Sequence, residues 1–299
     1  SAMKTNRESL VVLSVQGQIH HPLGGSARVT SEGRVAAVPA IGGITYNVKV
    51  GDPVFGLTGD HIEPGVSIKN MNTSESDALN VFSCIGNRAR VVSGKAEGAV
   101  GYVTGIHGGC EHVIIHFPQE VLYRLKINDE ILVESRGQGL KIEECPDIIV
   151  QSLDPDLLEQ MGIVTDGAGG LTLPVAAEIP SYLMGSGLGA AHSYSGDYDL
   201  MTSDWEAVKK HRLEKLRFGD IVLLKDCDNT FGRGYLEGAR TVGVVIHGDC
   251  IAHGHGPGIT TVLTTKLPII HGQLTDSANI ADFILSRSDD SDAPETERS

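Results

Sequence analysis

The sequence is short of the features that mark several protein classes. Aromatic residues make up only 5% of it, so its core must be built mostly from aliphatic side chains. No apolar run approaches the roughly 18 residues that a membrane-spanning helix needs. Basic residues are outnumbered, 24 Lys and Arg against 38 Asp and Glu, for a formal charge of −14. A chain this acidic has no general attraction to phosphate backbones or anionic lipid, and it contains no basic run of the nucleic-acid type. The cysteines (Cys84, Cys110, Cys145, Cys227 and Cys250) are odd in number, widely spaced and without a Cys-x-x-Cys pair. That pattern argues against a disulfide frame and for reduced thiols in a cytoplasmic protein. No secretory-signal pattern is seen. The partners expected are a small-molecule ligand and further copies of the chain, with neither nucleic acid nor membrane.

Glycine, by contrast, is plentiful, with 37 residues set among Val, Ile and Thr runs. This favours a mainly β (α+β) architecture rich in turns. The length suits two β-rich, barrel-like or sandwich-like domains with a few short helices. The expected division is residues 8–150, residues 151–285 and an acidic tail, 286–299, too polar to fold. Strands are expected at 10–15, 100–104, 112–117, 130–133, 172–177, 218–224, 241–246 and 259–265. Short helices are expected at 73–80, 118–125 and 279–285, and one from the N-cap Asp154 with Pro155 at its first position. The strongest helix signal covers 203–216, where Ser203-Asp204-Trp205-Glu206 reads as a capping box and Trp205 as a core anchor.

The segment richest in chemistry is His247 to Thr261, with three histidines, Asp249 and Cys250 among four glycines, between two β-type runs. Glycines let backbone approach a ligand closely, and a rigid sheet presents such a loop as a site. If the loop is extended, residues two apart face the same way, pairing His247 with Asp249 and His253 with His255. These four are the candidate ligands of a divalent metal (Zn, Mn or Fe). Gly254 and Gly256 offer backbone amides to an anion. The structural alternative is that the histidines only bond the turn backbone.

Three further clusters accompany it. Ile106-His107-Gly108-Gly109-Cys110 echoes Ile246-His247-Gly248-Asp249-Cys250, although one short echo does not establish a duplication. His112 and His116 lie four apart on an apolar strand and read most simply as hydrogen-bonded core histidines. Asp60-His61-Ile62-Glu63 can bind metal or relay a proton, or be a solvated loop. Gly185 to Asp204 holds Ser186 and Gly187 as candidate substrate contacts, and His192, Asp197 and Asp199 as candidate acid–base residues with His107. Asp197 and Asp199 share a face if their segment is extended. The glycines there lack the spacing of a dinucleotide fingerprint and no Gly-Lys-Ser follows, so no nucleotide cofactor is expected. Cys110 or Cys250 as a nucleophile would need a neighbouring base.

Taken together, Gly105-Ile106-His107-Gly108-Gly109, Gly137-Gln138-Gly139-Leu140, Met184-Gly185-Ser186-Gly187, Gly196-Asp197-Tyr198-Asp199, Phe218-Gly219-Asp220-Ile221-Val222 and the 247–261 loop make the chain resemble a prokaryotic family known as domain of unknown function 4438. The resemblance spans about residues 17–274. It implies a two-part, β-rich cytosolic protein, and it assigns no activity and no residue role.

Two functional readings follow from the residues. In one, the loops meet in a cleft where a metal promotes hydrolysis or isomerisation of a small polar metabolite such as an amide, cyclic amide or lactone. In the other, the loops form a non-catalytic anion-binding or self-associating surface. The first requires that distant histidines and carboxylates converge.

Overall fold

The computed structural model describes residues 3–24 and 27–290. The protein is mostly strand with a few short helices. Six strands of the N-terminal half close on themselves. Leu13–Ile19 pairs with Glu130–Ser135, which pairs with Arg88–Val91, then Val100–His107, His112–His116 and Gly65–Lys69, and the last returns to Leu13–Ile19. Closure removes the open edges that a free sheet would expose. Residues of alternate parity fill the interior: Val113 and Ile115 pack with Ile68, Val103 and Ile131, while Ile114 points into a different cluster. This is the period-two rule of a strand buried on both faces.

A second sheet runs in the order Ile149–Val150, Gly258–Thr265, Gly234–His247, Ile221–Asp228 and Ala177–Pro180, and Tyr198–Asp199 also pairs with Gly258–Thr265. It packs against the barrel. Tyr102 and Ile114 share one apolar cluster with Val242, Val244, Ile246 and Leu263. The two structures cross at Gly105, where a Cβ would stand 2.4 Å from Ile246 Cβ, so only glycine allows this approach. Because both faces of Gly234–His247 are covered at its C-terminal end, Val242 to Ile246 can be an unbroken apolar run.

Several sequence expectations change here. The helix at 203–216 is shorter, Trp205–Lys210, and its N-cap is Asp204, whose carboxylate accepts from Ala207 N at 3.1 Å. Ser203 is therefore not the cap. The chain then leaves the helix through Arg212 in the left-handed region and a 3-10 turn, Leu213–Lys215. Trp205 is 42% exposed and meets Phe55 edge-on, so it is no core anchor. The first strand begins at Leu13, not Leu10, because pairing with Glu130–Ser135 sets its register. The last helix runs Ala281–Asp290, five residues beyond the expected end, held by Arg287 stacked on Phe283 and within 3.4 Å of Asp156. The expected disorder thus fails for residues 286–290, and residues 291–299 lie outside the described part. No helix among the described residues is long and apolar enough to cross a membrane.

Candidate metal centre

Strand ends of both halves meet at one buried point. His107 ends the Val100–His107 strand and pairs in register with His112 across a tight turn. His247 ends Gly234–His247 and pairs with Gly258, which on its other side pairs with Asp199. Three adjacent strands therefore set Asp199, Gly258 and His247 in a row. A Cβ on Gly258 would stand 2.1 Å from Asp197 Oδ2 and 2.2 Å from His247 Nε2. The missing side chain is the space in which carboxylate and imidazole meet. Thr260 Oγ1 donates to the Ile106 carbonyl at 2.9 Å and ties this sheet to the barrel strand beside His107. The His107 and His247 rings stack at 4.2 Å, so the two echoing motifs converge in space.

Hydrogen-bond partners fix where the protons sit, because a carboxylate or carbonyl can only accept. His107 Nδ1–H donates to Glu63 Oε2 at 2.9 Å, leaving Nε2 free for the shared point. His247 Nδ1–H donates to the Gly248 carbonyl at 2.8 Å, leaving its Nε2 3.0 Å from Asp197 Oδ2 and 3.2 Å from Asp199 Oδ1. Asp197 Oδ1 accepts from Gly108 N at 2.7 Å, but its buried Oδ2 has no aligned hydrogen-bond donor. A neutral His247 would therefore aim a lone pair at two anionic oxygens. Glu63 is fully buried and takes both barrel histidines, since His112 Nδ1–H donates to its Oε1 at 2.9 Å and Ser67 Oγ donates to the same oxygen. Gly65, in the left-handed region at φ 72°, turns the chain so that Glu63 folds back over this strand. His20 Nδ1 then reaches His112 Nε2 at 2.9 Å.

A second group adjoins the first. Asp199 Oδ2 lies 2.9 Å from His255 Nδ1 and 3.3 Å from His61 Nε2, and His61 Nδ1 lies 3.2 Å from Asp60 Oδ1. The burial of these carboxylates raises their affinity for protons, and the imidazoles around them reverse it. Glu63, Asp60 and Asp199 are all held well below the usual carboxylate range. Burial likewise disfavours imidazolium, yet bonds to Asp199 and Asp60 push His61 up to about 12, and Asp197 and Asp199 push His247 up to about 10. The cluster thus buries four carboxylates, which calls for positive charge among them. Ligand atoms of His107, Asp197 and His247 lie within 4.8 Å of one another, as do those of His61, Asp199 and His247, of His61, Cys250 and His255, and of Glu63, Cys110 and His112. Each trio is a donor set of the borderline-soft type that zinc and its neighbours accept.

The centre opens on a cleft of about 1160 Å³ lined by His61, His107, Asp197, Asp199, His255 and Arg233, among others. The candidates legible in the sequence distribute around it unevenly. His107, His247, Asp197, Asp199 and His255 converge. Ser186 and Gly187 line the cleft wall, where His192 stacks on Tyr194 at the exposed rim. His253 is exposed, and Asp249 instead accepts from Thr202 Oγ1 at 2.6 Å. The expected pairs fail because residues 248–257 form an irregular loop of bends with one turn at 253–254, not an extended strand, and the two-residue rule does not apply there. Gly256 lies against Leu200 O, and Gly254 stands off the cleft lining. His61 and Glu63 were legible as a candidate pair. Asp60 was legible only as part of the 60–63 stretch and Gly258 only as one of the four glycines of the 247–261 loop, while Arg233 carried no sequence signal. Burial raises the thiols of Cys110 and Cys250, which disfavours the thiolate a cysteine nucleophile needs.

A closed β-barrel joined to a second sheet, with a buried histidine–carboxylate cluster at the join, is the class of protein defined here. The chain belongs to the DUF4438 family: "Domain of unknown function (DUF4438), N-terminal" matches residues 27–159, and "Domain of unknown function (DUF4438), C-terminal" matches residues 160–284. Among solved structures, the crystal structure of TM1086 is similar, with 45% identity, a TM-score of 0.91, and 95% of this chain and 100% of that chain covered. No curated protein matches.

Proposed function

We propose that the protein is a metal-dependent enzyme acting on a small polar metabolite, by hydrolysis or isomerisation at a carbonyl. The reading rests on one observation: His247 Nε2 faces Asp197 Oδ2 and Asp199 Oδ1 at 3.0 and 3.2 Å, and Asp197 Oδ2 is buried without an aligned donor. A divalent cation held by His107, His247 and Asp197 would take the place of the proton on Nε2. Glu63 behind His107 is the outer carboxylate that fixes ring orientation and tautomer in such sites. When bound, the ion supplies carbonyl polarisation or water activation.

The remaining residues have separate work. His255 gives its Nδ1–H to Asp199 and lines the cleft, so its Nε2 is the proton acceptor for an attacking water or a carbon acid. Asp199 holds that ring in place. His61, kept protonated by donating Nδ1–H to Asp60 and Nε2–H to Asp199, holds a positive charge at the cleft wall that offsets those carboxylates. An amide, cyclic amide or lactone suits this set.

Elemental analysis of protein purified without added metal, and again after zinc or manganese loading, tests the reading. About one ion per chain, lost in His247→Ala, supports it. No uptake under either condition would leave the second reading, in which His247 is an imidazolium locked between Asp197 and Asp199 and the cluster only binds or scaffolds. Its high proton affinity favours that alternative in the absence of metal.

A further inference from the structure

Arg233 is 7% exposed, yet it lines the cleft. Its Nη2 donates to the Ser195 carbonyl at 2.7 Å, and its guanidinium lies 5.6 Å from the Tyr198 ring centre. Among the described residues no carboxylate oxygen comes within 4.0 Å of it. A buried arginine is almost always paired with an acid, because the desolvated charge is otherwise costly. The other cationic side chains of this cleft are occupied. Arg28 lies 3.5 Å from Asp60 Oδ2, and Lys69 donates to the Cys110 carbonyl at 2.8 Å. The guanidinium fork has five donors, of which one goes to the Ser195 carbonyl, and no other acceptor among the described residues takes the rest.

Its position relative to the centre is close. Gly196, next to Asp197, would bring a Cβ to 3.5 Å from Arg233 Nη2 and 3.0 Å from Gly108 Cα. One turn of backbone therefore separates the guanidinium from Asp197 and from the amide of Gly108 that bonds it.

We propose that Arg233 is the seat for a carboxylate on the substrate, so that the cleft takes a small molecule carrying a carboxylate together with the amide, lactam or lactone carbonyl that reacts. The proposal rests on the metal-enzyme reading for the second group only; the anion seat itself does not require a metal. A carboxylate bound bidentately on Arg233 anchors the molecule, and the short span across Gly196 brings its carbonyl to the His107–Asp197–His247 point.

The test uses N-acetylglycine and pyroglutamate as carboxylate probes, and N-acetylglycinamide and pyroglutamide as their uncharged counterparts. Binding is followed by calorimetry and by melting temperature on zinc-treated and metal-free protein, in wild type, Arg233→Met and Arg233→Lys. At least one acid is expected to bind wild type at millimolar concentration, its amide at least tenfold more weakly. Arg233→Met is expected to lose at least tenfold in affinity and Arg233→Lys to recover part of it, with metal content equal to wild type. Absence of binding by either acid, equal binding of acid and amide, or unchanged affinity in Arg233→Met overturns the proposal. Arg233→Met that melts lower but binds the acids normally makes the residue a tether for the Ser195 turn and also overturns it. Failure of the metal reading shows separately, as no metal uptake in wild type, whatever the probes do.

Discussion

Asp197→Asn separates the metal reading from the imidazolium reading by what it does to the zinc response. The substitution conserves shape. The amide oxygen keeps the 2.7 Å bond from Gly108 N, and the amide nitrogen replaces Oδ2 at 3.0 Å from His247 Nε2. Without metal His247 is charged, its proton affinity pushed up to about 10 by Asp197 and Asp199, so the new amide N–H meets an N–H and one of the two balancing carboxylates is lost. Metal-free Asp197→Asn is therefore expected to melt below metal-free wild type. With zinc the gap widens. Zinc at a thousand times its Kd stabilises wild type by about 4 kcal/mol, and a hundredfold weaker site leaves about 1.4 kcal/mol. At about 2 °C per kcal/mol for a chain of this length, the zinc-induced rise in Tm shrinks from about 8 °C to about 3 °C. Calorimetric melts in chelator and in excess zinc measure both quantities. If His247 stays an imidazolium whatever the metal concentration, the variant still melts below wild type in chelator, but zinc moves neither protein. That result would refute the reasoning.

Three other outcomes follow from the same geometry. Glu63→Gln leaves one acceptor oxygen for two donating rings, so either His107 or His112 must reverse its tautomer; zinc affinity is expected to fall about 10–100-fold, read by competition with a chromophoric chelator. Gly258→Ala places a Cβ where Asp197 and His247 meet, and is expected to abolish metal uptake while costing about 1–3 kcal/mol of stability, measured by urea unfolding. Asp220, buried but bonded by Arg217 N and Asn279 Nδ2, is pushed by burial up to about 6 from an ordinary 3.8. The folded state therefore holds its proton more tightly, and stability from this group is full below pH about 4 and is lost as pH rises through about 6. A carbon-detected carboxyl titration should place its midpoint near 6; a midpoint near 4 would refute the assignment of burial as the dominant cause.

Much of the architecture was legible along the chain, since strands reveal themselves by alternation and β-branched runs, and glycines by where such runs stop. Val113-Ile114-Ile115 announced a buried strand, and Asp154-Pro155 a helix start, because both signals are local. The segments 247–255, 106–110 and 60–63 stood out for the same reason: ionisable residues crowded among glycines are visible without a fold. The 203–216 helix and the core role of Trp205 misled, because a cap pattern and one large apolar residue say nothing of the left-handed Arg212 or of what packs outside.

What composition and order fixed was therefore a β-rich chain with reactive loops and no pull toward nucleic acid. Which of those loops meet was decided by closure of the barrel and by the crossing at Gly105, contacts between residues far apart in sequence. His107 and His247 are 140 positions apart and stack at 4.2 Å, while His253 and His255 are neighbours that separate, one to solvent and one to Asp199. Proximity in the chain constrains only a few ångström of backbone; the pairing of Gly258 between Asp199 and His247 constrains the charge distribution, and that distribution sets the chemistry.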